Sequence, residues 1–235
     1  MRMRILIVNS VCGIRSTGRI CTDLAETLSS QGHEVRIAYG RESVPEKYEK
    51  YAVRIGNECN VKADILISRV LDNAGFNSKK ATKAFVAWIQ EYNPDVIHLH
   101  NVHGYYLNIE ILFDYLKTCG KKIIWTMHDC WAFTGHCSYF DFAACNAWQT
   151  GCEKCVQKRE YPTSYLFSQS KRNFIRKKEI FVGVPNLTII TPSEWLAGLV
   201  KKSFLGVYPT HVIHNGIDTS VFKPTKSDIL SRYHL

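Results

Sequence analysis

The first 39 residues alternate in a way that few folds accept. Arg4 to Asn9 reads as a strand whose centre, Ile5-Leu6-Ile7-Val8, is continuously apolar, the mark of a strand buried on both faces. A loop with Gly13 and Gly18 follows. Ile20, Leu24, Ala25 and Leu28 then recur at helical spacing. Gln31-Gly32-His33 closes that helix, since glycine commonly ends one, and Glu34 to Tyr39 is a second strand. This is a βαβ opening, and it implies a parallel sheet.

The alternation continues. Tyr51 to Ile55 reads as a short strand, and Lys62 to Leu71 and Ser78 to Tyr92 have helical period. Pro94-Asp95 breaks the chain before the strand Val96 to His100. Asn108 to Thr118 is a helix ended by Gly120, and Lys122 to Met127 is the next strand. Residues 129–163 have no clean period and form a cysteine-rich insertion. A helix is expected from Tyr165 to Glu179, a strand from Leu187 to Thr191, a helix from Pro192-Ser193-Glu194 through Val200, and a last strand from His211 to His214. Asn215-Gly216-Ile217-Asp218 reads as a turn, and Ser227 to Tyr233 as the start of a helix. The expected architecture is α/β, a Rossmann-like parallel sheet with flanking helices over residues 1–214. Residues 215–235 are expected to link to a further domain.

No apolar run is long enough for a membrane-spanning helix, and the N-terminal run is too short for a signal peptide. A cytoplasmic location is expected, and nine cysteines there suggest thiols or a metal rather than disulfides. The net charge is +9, concentrated between Lys154 and Lys178, where eight Lys or Arg face one acidic residue. That excess would attract phosphates or anionic lipid; it also suits a solvated helix face.

Chemistry-bearing residues gather at predicted strand ends, where open α/β sheets bind ligands. Ser16, Thr17 and Gly18 open the first helix, whose N-terminus favours an anion or a sugar hydroxyl, although a plain capped turn would look the same. His98 and His100 share one face of their strand, and Asn101 and His103 extend the cluster. These histidines could hold a metal or simply hydrogen-bond. His128 could act as a base, or donate to a substrate hydroxyl or phosphate, and Asp129 could fix its tautomer or bind a hydroxyl itself; a hydrogen-bonded histidine at the sheet edge fits equally well. Cys137, Cys145, Cys152 and Cys155 offer four thiolates with one C-x-x-C knuckle, enough for structural zinc, with His136 and Cys130 as substitutes. Free thiols in a packed loop fit the spacing as well. Cys12, Cys21, Cys59 and Cys119 are expected in the core. Ser193 is a natural helix cap.

In order along the chain, these segments resemble the N-terminal half of a GT-B glycosyltransferase of family 4. The resemblance rests on Ser16-Thr17-Gly18-Arg19, Gln31-Gly32-His33-Glu34-Val35, Pro94 to Asn101, Thr126-Met127-His128-Asp129, Thr191 to Leu196, and Val212 to Phe222. It implies two Rossmann-like domains facing a cleft, the N-terminal one holding the acceptor and the other the nucleotide-sugar donor. It implies transfer with retention of configuration and no cofactor for catalysis. Carried onto this chain, His128 lies near the transferred sugar, with Asp129 beside it. Ser16, Thr17, Gly18, Arg19, His100, Asn101 and Ser193 lie at the substrate or donor, and Asn215 and Gly216 at the crossover between domains. The cysteine-bearing insertion resembles that of bacterial polysaccharide enzymes, so a glycan or lipid-linked acceptor at an anionic membrane is expected, and no nucleic acid. The family's donor-binding Glu-x7-Glu element lies beyond Leu235, so these residues alone are expected to be inactive. The competing readings are a metal-dependent hydrolase built on His98, His100, His103 and His128, and a non-enzymatic basic binding module.

Overall fold

A computed structural model describes residues 2–224, 228, 232 and 233. Seven strands form one sheet: β1 (Arg4–Val8), β2 (Glu34–Tyr39), β3 (Ala52–Arg54), β4 (Val96–Leu99), β5 (Lys122–Thr126), β6 (Leu187–Thr191) and β7 (Thr210–Val212). Their order is β3-β2-β1-β4-β5-β6-β7, and every neighbouring pair is parallel. The helices are α1 (Arg15–Ser30), α2 (Glu58–Leu71), α3 (Lys79–Tyr92), α4 (Ile109–Thr118), α5 (Ser170–Phe181) and α6 (Glu194–Lys202).

The apolar centre of β1 explains its place in the middle of the sheet. Ile5 and Ile7 pack on one face with Cys21 and Ala25 of α1. Leu6 and Val8 pack on the other with Ile97, Leu99 and Leu112. Each such side chain contributes roughly 1.5–3 kcal/mol on full burial, so a strand apolar on both faces is most stable between two layers. Helix α1 ends as its sequence implies. Gly32 sits at φ +88°, and its N–H and that of His33 bond to the carbonyls of Ser29 and Leu28, a Schellman closure.

Four boundaries differ from the sequence reading. Helix α2 starts at Glu58 rather than Lys62, because Asn57 and Asn60 form a reciprocal capping box. The helix expected from Tyr165 starts at Ser170 and runs to Phe181. The preceding stretch lies along the end of α2 instead, with the N–H groups of Tyr165 and Phe167 bonded to the carbonyls of Arg69 and Val70. The last strand is Thr210–Val212, shorter and earlier than His211 to His214. The tight turn falls after Asn215-Gly216, where Asp218 accepts from the N–H groups of Val221 and Phe222. The helix expected over Ser227 to Tyr233 falls mostly outside the described residues. Of the scattered cysteines, Cys12 and Cys21 are buried as expected, but Cys59 is exposed and Cys119 half-buried.

The insertion has only short 3-10 turns at Trp131–Phe133, Asp141–Ala143 and Ala147–Gln149. It holds together through aromatic packing, with Phe140 stacked on Trp148 at 4.9 Å between ring centres and Phe133 at 5.5 Å from Trp148. The basic stretch that follows is not one solvated face. Lys177 is fully buried, 3.4 Å from the Trp131 ring centre. Arg176 pairs with Glu110 at 2.6 Å.

Candidate functional site

The chain leaves β1 for β2 and β3 on one side, then returns to place β4 on the other. Such a reversal, between the loops after β1 and β4, is where open α/β sheets form their ligand crevice. Asn9, the polar residue that closes β1, spans it. Its side-chain amide donates to the Val11 carbonyl at 2.8 Å and to Thr17 Oγ1 at 3.3 Å. Its Oδ1 accepts from the Asn101 N–H at 3.3 Å. Asn9 was not among the candidate site residues, though a polar residue ending an apolar strand was the available signal.

Ser16, Thr17, Gly18 and Arg19 all lie in the first turns of α1. Ile14 precedes that helix and supplies no side-chain cap, so the first-turn N–H groups, which have no intrahelical partners in any helix, have no side-chain acceptor from that position. Gly18 lies close to the preceding loop. A Cβ there would lie 3.1 Å from Val11 Cγ2 and 3.3 Å from Gly13 N.

The ends of β4 and β5 bring histidines together. His98 Nε2 bonds with Thr126 Oγ1 at 2.8 Å, and the His98 and His100 ring centres are 4.4 Å apart, on one face as the strand spacing requires. His100, 2% exposed, bonds through Nδ1 to His128 Nε2 at 2.9 Å. Burial lowers the pKa of all three, His98 to about 4, and the neighbouring imidazoles lower them further. At His128 the Asp129 carboxylate opposes this in part. At physiological pH the cluster is therefore neutral, and His128 is available as a base or as a hydrogen-bond donor.

Asp129 does not hold His128 as the sequence suggested. Its Oδ2 bonds with His103 Nε2 at 2.8 Å, and its Oδ1 accepts from the Trp131 N–H at 2.9 Å. Burial pushes this carboxyl up, but the His103 imidazole, with its hydrogen bond, and the Trp131 N–H outweigh that and keep it below the usual range. His103 Nδ1 in turn bonds with the Tyr161 hydroxyl at 3.1 Å. His100, His103, His128 and Asp129 line one small cavity with Asn101 and Trp131. The insertion reaches this edge a second time, where the Tyr139 hydroxyl donates to the His128 carbonyl at 3.0 Å.

The other expected site residues lie apart from this cluster. Ser193 caps α6, accepting from the Leu196 N–H at 3.2 Å. Asn215 and Gly216 are exposed beyond β7. The hydrolase reading fares poorly, because His98 Nε2, His100 Nδ1, both His103 nitrogens and His128 Nε2 bond with Thr126, Tyr161, Asp129 and each other, which leaves His100 Nε2 as the one buried nitrogen of the cluster without a partner. Among the described residues, no three His, Cys, Asp or Glu side chains converge to hold a metal. A cavity of about 690 Å³ lies away from the sheet edge, between the insertion and α5, with Phe174, Ile175 and Val182 in its wall.

Residues 17–221 match the family described as Glycosyltransferase Family 4. The chain is 26% identical to WcaC of Escherichia coli (strain K12), whose name assigns it to colanic acid biosynthesis as a glycosyl transferase. That match covers 92% of this chain and 55% of the relative. Among solved structures, sucrose-phosphate synthase from Thermosynechococcus elongatus superposes with a TM-score of 0.61 at 12% identity, over 100% of this chain and 53% of that one. The chain thus spans about half the length of the relatives it matches, and the likeness to the synthase concerns the fold.

Proposed function

Because the chain belongs to glycosyltransferase family 4, we propose that it is the acceptor-side half of an enzyme that moves a sugar from a nucleotide-sugar donor to a glycan, with retention of configuration. One observation carries the reading. Asn9 ties the uncapped N-terminus of α1 to the end of β4, next to the His100–His128 pair. An anion-favouring helix end and a neutral, half-buried histidine then share one crevice, which suits a sugar phosphate whose glycosidic bond is being broken.

In this reading the first-turn N–H groups of α1 receive donor phosphate or acceptor hydroxyls. His128 contacts the transferred sugar, held in place by His100. Asp129 braces the wall through His103. Residues 215–224 lead toward a second domain that carries most of the donor site. The exposure of Ile217, Val221 and Phe222 is consistent with a surface that another domain covers. The name of the Escherichia coli relative supports a polysaccharide or lipid-linked glycan as acceptor.

An anionic membrane surface is part of the proposal. Tyr165, Leu166, Phe167 and Ile175 are exposed, and Lys171, Arg172 and Lys178 are exposed near them in sequence, the mix of apolar and basic groups that binds at a lipid interface. Among the described residues, no helix is long and apolar enough to cross a membrane.

The test is transfer from nucleotide sugars by the full-length enzyme and by its His128→Ala variant. The variant is expected to lose about 10²-fold or more in turnover while keeping its circular dichroism and melting temperature. Undiminished turnover would return His128 to an architectural role.

A further inference from the structure

The insertion carries chemistry that the sheet-edge site does not use. Cys137, Cys145, Cys152 and Cys155 are free thiols, and all four line one pocket together with His136. The cavity they enclose is about 20 Å³, room for a single water-sized occupant. The Gly135 N–H donates to Cys152 Sγ at 3.2 Å.

His136 is 2% exposed. Its Nδ1 bonds with Asp72 Oδ1, and its Nε2 is buried without a hydrogen-bond partner. Asp72 is itself fixed, its Oδ2 accepting from the Gln169 N–H at 2.6 Å. A carboxylate on one imidazole nitrogen, with the other left open, is how metal-ligating histidines are usually oriented. Buried Lys177 donates to the carbonyls of Trp131 and Thr134, the residues that lead into this segment, at 2.8 and 3.2 Å.

We propose that this pocket binds zinc through the thiolates of Cys137, Cys152 and Cys155 and through His136 Nε2, with Asp72 orienting the imidazole. These residues line the pocket, but among the described residues no three such side chains already stand close enough together to hold an ion, so the thiols must rotate inward to reach the roughly 2.3 Å of a zinc–sulfur bond. Cys145 remains in the wall. The ion would staple a segment that has little regular structure of its own, yet delivers Tyr139 and Tyr161 to the sheet-edge site.

The full chain, purified anaerobically without a metal-binding tag, is expected to carry stoichiometric zinc. Cobalt(II) exchanged into it is expected to give thiolate charge-transfer bands and the visible bands of a tetrahedral three-sulfur, one-nitrogen site. Cys152→Ser/Cys155→Ser should lose the ion, His136→Asn should shift the visible bands or weaken binding, and Cys145→Ser should leave the spectrum unchanged. Zinc-free protein that takes up no cobalt overturns the proposal without recourse to any variant. So does a Cys137–Cys155 disulfide found in the anaerobic preparation, or metal retained by the double variant, which would point to the sheet-edge histidines. A spectrum altered by Cys145→Ser but not by His136→Asn overturns the histidine assignment. None of these outcomes depends on sugar transfer.

Discussion

His100 Nδ1 lies 2.9 Å from His128 Nε2, and the two imidazoles are nearly parallel, 14° apart with ring centres at 5.2 Å. One nitrogen must donate and the other accept, so the tautomers of the two imidazoles are coupled. The outer residue of the pair is half-buried and the inner one fully buried, so in the proposed function His100 is a positioning residue and His128 is the one that meets the ligand.

Removing the inner partner tests that division of roles. His100→Ala in the full-length enzyme should lower kcat about tenfold, the worth of one net hydrogen bond, with KM little changed. His100→Asn, whose amide can stand where Nδ1 stood, should recover most of the loss. An unchanged kcat and pH profile in His100→Ala would remove the positioning role.

Asp129 should behave differently from His128. Asp129→Asn keeps the shape but weakens the bonds to His103 Nε2 and the Trp131 N–H. Denaturant unfolding should show a loss of about 1–3 kcal/mol, and turnover should fall less than in His128→Ala. The opposite order, with turnover destroyed and stability intact, would move Asp129 into the chemistry.

The buried histidines also set an acid limit. His98 has its folded pKa at about 4 against 6.5 for an unperturbed histidine, and His100 and His128 shift in the same direction. Above about pH 6.5 neither the folded nor the unfolded chain protonates these groups, and the full stability is present. As pH falls below 6.5 the unfolded chain takes up protons first, so stability drains away progressively toward pH 4. Denaturant midpoints measured from pH 7 to pH 4 should fall across that window, and His98→Gln should flatten the slope.

A Cβ at Gly18 would press on Val11 and Gly13 at 3.1 and 3.3 Å, so the neighbours would have to give way slightly. Gly18→Ala should displace the loop by a few tenths of an ångström and misaim the first-turn N–H groups of α1. The expected result is a several-fold rise in KM for the nucleotide sugar with kcat nearly kept. A fall in kcat at unchanged KM would place the loop elsewhere in the reaction.

Membrane association should follow charge. Binding of the chain to vesicles containing anionic lipid should weaken when Lys171, Arg172 and Lys178 are changed to Glu, and should weaken with added salt. Lys177 belongs outside that set because it is buried. Equal binding to neutral vesicles would leave only the exposed apolar residues as the cause.

The sequence by itself determined the layered α/β class, because strands apolar on both faces, separated by amphipathic helices, are stable only as a parallel sheet covered on both sides. It also placed His98, His100 and His128 at strand ends, since strand periodicity is local and reaches no further than its own residues. The tertiary structure decided who pairs with whom. His100 meets His128 because β4 lies beside β5, while Asp129, one residue past His128, turns to His103 rather than to its neighbour. The same holds for Asp72 with His136 and for Lys177 beneath Trp131, partners separated by 64 and 46 residues. Spacing along a chain reports periodicity within an element; contacts between elements depend on sheet order and crossover, which no local pattern encodes.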